Sequence, residues 1–389
     1  MRLLVLSLAL STAYFPSTLS LSAPRFQKAQ PFGNANETAL QEFIISAGSI
    51  KATFLPYGAT LKNLWVNDRW GQSRDVALGY DDPTLYMNPT THAPRFGSQI
   101  GRTADRMNST FVVDGITYHA LTNLHPAEDP KLNLTFHGGE GFDYRNWTVV
   151  KHTQDTLVLN YFSPDGEAGY PGDVDFWVVH SVRAPATWHI QMFATASKDT
   201  PLLPTNHPYL QLNAFNTSES ESLSHTFSMK SHRYQTTDGN LLWNGTIAQI
   251  PPGSSADFYN KPKLISDGFW DARYCGDNCT GYDALFVYDT PHKKDEVAAS
   301  LWSEDSGIRL DMSTDQPCIA FYTCGELKNN TAPRKAVHGG GYYDQYNCVL
   351  FEHQGYGDAL HLRQLDQNPI YGPGRDFSGE ITYAFSVIN

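Results

Sequence analysis

The chain has 389 residues, 41% hydrophobic and only 17% charged, a balance that describes a folded globule and excludes a disordered chain. Aromatic residues reach 13%, which suits strands and surfaces that stack on sugar rings. The net charge of −12, with no basic run anywhere, excludes nucleic acid and anionic membrane surfaces as partners, since both demand clustered Lys and Arg.

In chain order, the first element is MRLLVLSLALSTA. One arginine, an apolar core from Leu3 to Leu10 and the small residues Ser11 and Ala13 predict a secretory signal peptide, residues 1–23, cut between 13 and 23. No later segment reaches the roughly 20 apolar residues of a membrane-spanning helix. The remainder, 24–389, reads as one large, mostly antiparallel all-β domain, with 24–40 as a loosely held arm. VVDGITYHAL (112–121) predicts a hairpin turning at Asp-Gly. Strands follow at DTLVLNYFS, DVDFWVVHSV, TWHIQMFATAS, DALFVYD, GIRLDMSTD, CIAFYTC and CVLFEHQ, all β-branched and aromatic runs with partial alternation. Turn clusters such as SPDGEAGYPGD and TTDGN separate them. No stretch keeps helical periodicity free of Gly or Pro.

An extracellular address fits the remaining punctuation. Glycosylation acceptors N-x-S/T occur at Asn36, Asn108, Asn133, Asn146, Asn216, Asn244, Asn278 and Asn329. Asn133 lies four residues before His137, so it is expected to be unmodified or at the rim of any site there. CGDNC predicts a local disulfide, Cys275 to Cys279. Five cysteines leave at least one free thiol, and Cys318 or Cys348, both in apolar runs, are the expected buried ones. No second Cys/His pair follows at zinc-ligand spacing, so no metal is expected.

Polar groups stand inside apolar contexts at GRTADR (101–106), FHGG (136–139), PTNHPY (204–209), GYDALF (281–286) and VLFEHQ (349–354). Each alone reads as a satisfied structural residue or a surface ion pair. Their ordered company changes that reading. YGATLKNLWV (57–66), DVALGYDD (75–82), FGSQIGRTADR (96–106), FHGGEGFDYRNW (136–147), SPDGEAGYPG (163–172), TNHPYLQLN (205–213), GYDALFV (281–287), QPCIAFYTCGEL (316–327) and VLFEHQ (349–354) together resemble the aldose 1-epimerase family, the galactose mutarotases. The resemblance runs in order from about residue 40 to the C-terminus.

The resemblance implies the family's large antiparallel β-supersandwich, the galactose mutarotase-like fold. It also implies interconversion of the α and β anomers of free hexoses such as glucose and galactose. Glu352 matches the general base, His207 the general acid, and His137 the second histidine that holds and polarises the sugar. Arg106, Asp283, Gln316, Asn206 and Asp105 match substrate contacts, Asp105 standing where the family usually has asparagine. Pro208 and Leu210 also depart from the family's usual Ser and Phe. The expected partner is a free monosaccharide, and a monomer or weak dimer needs no other.

The chemistry suits those residue types. A base takes the proton of the anomeric O1 hydroxyl while an acid protonates the ring oxygen O5, so the C1–O5 bond breaks. Rotation about C1–C2 and reclosure by the same two groups give the other anomer, and no cofactor is needed. A glutamate near its ordinary ~4.3 and a histidine near ~6.5 predict a bell-shaped pH profile. Three other readings stand beside it. One is a sugar-binding module without catalysis, another a glycoside hydrolase using Glu352 and Asp283 as paired carboxylates, and the third a related hexose-6-phosphate epimerase, which should show an additional cationic cluster for the phosphate and which secretion argues against. FHGG is expected to bring His137 to the sugar, its glycines letting the backbone pass close to ligand or to a neighbouring strand, while Phe142 and Trp147 pack in the core.

Overall fold

The computed structural model describes residues 39–125, 131–215, 222–259, 261–276, 279–289, 293–328, 330–362 and 367–388. The signal segment, most of the arm and the acceptors Asn36, Asn216, Asn278 and Asn329 lie outside them. Alternation builds the largest sheet: along Val174–Arg183, and along Thr187–Ala196 as far as Ala194, every second residue is buried. These strands pair over their full lengths, and Phe377–Val387 then pairs with the second of them. Nine strands join this sheet and six join the main path of a second, which runs Tyr209–Leu210, Val349–Gln354, Cys318–Tyr322, Gly281–Val287, Arg233–Thr237 and Trp243–Gln249. Phe227 of the first sheet meets Phe321 and Phe351 of the second, with ring centroids 4.7 and 5.2 Å apart. The apolar faces of the two sheets thus close on one another, the all-β sandwich that the alternating runs demand.

The hairpin forms as its sequence predicts. Thr110–Val113 pairs with Ile116–His119, and Asp114 and Gly115 take φ of 52° and 77°, the two positive values of a type I′ turn. Trp147 and Phe142 are buried, with the Trp147 indole N–H donating to the Phe142 carbonyl at 3.0 Å. The strand predicted at DALFVYD starts two residues earlier, at Gly281, and runs to Val287, so Asp283 sits within the ladder opposite Tyr322.

Cysteine pairing follows the sequence reading at Cys275–Cys279 and corrects it at Cys348. Cys348 is not free but bonded to Cys324, 24 positions earlier, and the buried free thiol is Cys318. The reason is register. Cys318 opens the strand that pairs with Val349–Gln354, where it faces Gln354. Cys324, just past the other end of that strand, comes back beside the start of its neighbour. Closing such a loop removes unfolded-state entropy worth about 3 kcal/mol. The double substitution Cys324→Ser/Cys348→Ser is therefore expected to lower the unfolding free energy by that amount in a denaturant titration, with m somewhat raised because the denatured chain, no longer cross-linked, exposes more surface.

Three core histidines set an acid limit on stability. Burial holds His180 at about 3 and His225 and His338 at about 4. The unfolded chain takes up these protons near 6.5 and the folded chain refuses them, so stability present above that value is lost as pH falls. Between about pH 7.5 and 6 the three cost about 2 kcal/mol together, and urea midpoints measured at those two values should fall accordingly.

Candidate active site

The acid–base pair is assembled from two distant segments. On the strands Gly281–Val287, Cys318–Tyr322 and Val349–Gln354, register places Leu285, Ala320 and Glu352 side by side, with Asp283 beside Tyr322. Side chains alternate across a pleat. So Phe286, Phe321 and Phe351 fill the core, all fully buried, while Asp283, Leu285, Ala320, Tyr322, Leu350 and Glu352 line a cleft of about 260 Å³. His207 enters that cleft just after the short strand Thr205–Asn206, which is held to Gln99–Ile100. Its Nε2 lies 3.4 Å from Glu352 Oε1. Glu352 Oε2 and His207 Nδ1 are both buried and have no hydrogen-bond partner within the described protein.

His137 completes the cluster through local backbone geometry. It adopts φ 52° and Asp105 φ 58°, left-handed values that Asp and His reach more easily than most residues. The His137 N–H donates to the Asp105 carbonyl at 3.0 Å, and the Asp105 N–H donates back to His137 Nδ1 at 3.1 Å. Gly138 is required here: at φ 74°, an added Cβ would lie 2.4 Å from the Gly101 carbonyl oxygen. The glycine thus serves the neighbouring backbone. Because Nδ1 accepts, the single proton of a neutral ring sits on Nε2 and can be donated into the cleft. Burial, then the charges of His207, Arg95 and Arg106, hold the His137 pKa well below its ordinary value. Nitrogen NMR should find His137 as the neutral Nε2–H tautomer across about pH 5 to 8; an imidazolium signal at pH 6 would contradict this geometry.

The ligand atoms of His137, His207 and Glu352 lie within 4.8 Å of one another, a spacing that invites the question of a metal. A ligating Nε2 would need its proton moved to Nδ1, which already faces the Asp105 N–H donor. The His137 tautomer therefore suits donating a hydrogen bond into the cleft and opposes metal ligation.

Charged groups ring the cluster. Arg106 reaches Asp105 Oδ1 at 3.2 Å and Asp283 Oδ2 at 3.3 Å, and its guanidinium lies 4.6 Å over the Phe136 ring. Burial lifts the Asp105 carboxyl to about 6, with Arg106 opposing and Asp283 and Glu352 adding to the rise. Burial raises Asp283 too, again against the pull of Arg106.

Two expected contacts are not brought into the cleft. Gln316 lies before the strand Cys318–Tyr322, and its amide donates to Asp315 Oδ1 at 2.7 Å. It lies four positions before Ala320, about 13 Å along an extended strand. Asn206 is fully buried and pairs with Gln99 across the ladder. It precedes His207 by one residue, and the cleft lining includes His207 but not Asn206. Conversely Arg95, Gln235, Trp243 and Tyr322 line the cleft without having been singled out. Tyr322 was within reach of the alternation that selects Ala320; nothing in the sequence marks the other three. Asn133 is exposed and absent from the lining, which agrees with a rim position.

The aldose 1-epimerase family model matches residues 41–383 of this chain. The chain belongs to the aldose 1-epimerase family. A probable aldose 1-epimerase of Arthroderma benhamiae is 32% identical, with 88% of this chain and 86% of the relative covered. Human galactose mutarotase is 28% identical over 90% of this chain and 94% of its own length. A solved aldose epimerase homologue from C. elegans superposes with a TM-score of 0.78 at 26% identity, covering 90% of this chain and 99% of that structure. The β-supersandwich is therefore that of the mutarotases, and membership makes this chain an epimerase of the mutarotase class.

Proposed function

We propose that the protein interconverts the α and β anomers of free neutral hexoses, glucose and galactose among them, with Glu352 as base and His207 as acid. The observation that carries this reading is the 3.4 Å approach of His207 Nε2 to Glu352 Oε1 in one cleft. O1 and O5 of a hemiacetal share the carbon C1, so two groups that close together can serve both oxygens. Glu352 takes the O1 proton, His207 delivers one to O5, and C1–O5 opens to the aldehyde. After rotation about C1–C2, O5 adds to the other carbonyl face; His207 recovers its proton from O5 and Glu352 returns one to O1. The His137 Nε2–H donates to the substrate. Arg106 and Asp283 offer hydroxyl partners.

The charges favour a neutral sugar over a phosphorylated one. Of the two arginines in the lining, Arg95 binds Asp143 at 2.9 Å and Arg106 binds two aspartates, and the lining holds no lysine. The hydrolase reading is weakened by the same contacts, because Asp283 is bound to Arg106 and not left as a second working carboxyl. Binding alone needs no acid–base pair. Polarimetry of freshly dissolved α-D-glucose and α-D-galactose tests the proposal; rates no faster than the spontaneous reaction, or release of sugar from an aryl glycoside, would overturn it. We also propose export, on the strength of the N-terminal apolar segment and the two disulfides. A secreted product beginning between residues 14 and 24, read by N-terminal sequencing, is the expected result, with glycans on Asn108, Asn146 or Asn244 among the described acceptors.

A further inference from the structure

The cleft carries more negative charge than its arginines cancel. Four carboxyl residues line it, Asp105, Asp283, Glu326 and Glu352, against Arg95 and Arg106. Arg95 is already held by Asp143 outside the lining, and Glu326 by Lys328 at 2.9 Å, which leaves Asp105, Asp283 and Glu352 against Arg106 and, when it carries its proton, His207 beside Glu352. Arg106 bridges two of these, Asp105 and Asp283. Both of those carboxyls are raised above their ordinary range, by burial first and then by the neighbouring acids. A neutral hydroxyl entering the cleft would do nothing to reduce that excess. A cation would.

Asp105 is placed to meet one. Its hydrogen bonds from Arg106, backbone N–H at 2.7 Å and guanidinium at 3.2 Å, both fall on Oδ1. Oδ2 turns towards Gly357, where an added Cβ would sit 3.1 Å from it, and 26% of the side chain stays open. The Asp105 backbone exchanges hydrogen bonds with His137, and the residue lines the same cleft as His207 and Glu352, so its carboxylate is within the space a bound sugar would fill. An ionised carboxylate accepts and cannot donate; an ammonium group brings three donors and a full charge.

We propose that the cleft also takes free amino aldoses, the 2-amino-2-deoxyhexoses being the simplest, and that Asp105 is the residue that selects them. This rests on the anomer-interconverting reading above and names a further substrate class for the same site. The ammonium occupies the space between Asp105 and the sugar, where it relieves the repulsion among Asp105, Asp283 and Glu352. The ring opening itself is unchanged: O1 loses its proton, O5 gains one, and the amino group stays intact.

The test compares α-D-glucosamine hydrochloride with α-D-glucose, both freshly dissolved at about pH 7, by polarimetry and proton NMR. The expected wild-type result is a kcat/KM for the amino sugar at least equal to that for glucose. Asp105→Asn keeps the shape of the side chain, and asparagine tolerates φ 58°; circular dichroism melts check that it folds. This variant should lower the glucosamine-to-glucose ratio of kcat/KM by about tenfold or more, since a close charge pair is worth that much even in a partly wet site. Glu326→Gln removes a charge from the same cleft but from a side chain 79% exposed, and should change the ratio by less than about threefold because exposed charges are well screened. Glucose turnover without glucosamine turnover overturns the proposal and leaves the first reading standing. An unchanged ratio in Asp105→Asn, or an equal fall in Glu326→Gln, overturns the assignment to Asp105. Acceleration of neither sugar removes the first reading and this one with it.

Discussion

Glu352→Gln is expected to lower kcat for anomer interconversion by about 10³-fold, within the range that a positioned acid or base contributes. Glutamine matches glutamate in volume, and the strand Val349–Gln354 keeps its pairing, Glu352 lying opposite Ala320 through backbone contacts alone. What changes is the ability to take a proton. Glu352 Oε2 is buried with no donor on it among the described residues, so none of these competes with substrate for that atom. His207→Asn should cost a similar factor from the other side of the hemiacetal. Because both groups act in one transition state, the double variant should be little worse than either single one. Polarimetry on α-D-galactose reads all three. A loss below about tenfold for Glu352→Gln would mean that the base is another residue.

Lys335→Ala is expected to lower the unfolding free energy by about 3–5 kcal/mol, the cost of leaving a buried charge without its partner. Lys335 and Asp75 are both fully buried, with Nζ 2.8 Å from Oδ2. Nζ also donates to the Ala77 carbonyl at 2.8 Å and to the Lys62 carbonyl, so its three protons are all used. Burial lowers the Lys335 pKa while Asp75 pulls it back up. His338 seals the cluster: its Nε2 donates to the Asp75 carbonyl at 2.8 Å, and the Tyr343 hydroxyl donates to Nδ1, also at 2.8 Å. The segment around Lys335 is thereby pinned to the strand Ser73–Asp75, more than 250 positions away in sequence. In a double-mutant cycle, Lys335→Met with Asp75→Asn should lose less than the sum of the single losses, because removing both charges leaves neither stranded. Additive losses in urea melts would show that the pair is uncoupled.

The sequence alone determined what is local. A two-residue period decides which side chains share a face, so the runs DVDFWVVHSV and TWHIQMFATAS read as strands and form them. Asp-Gly made the hairpin turn legible, and CGDNC the short disulfide. The ordered motifs pointed to Glu352, His207 and His137, and the structure brings all three together. Tertiary structure decided everything that depends on register between distant strands. It paired Cys348 with Cys324 and left Cys318 free. It carried Gln316 past the end of the cleft and turned Gln235, Trp243 and Arg95 into it. Alternation along a strand cannot say which neighbour that strand will meet or how far it will slide before pairing. Those choices are fixed only when two apolar faces close on each other, and with them the outline of the cleft.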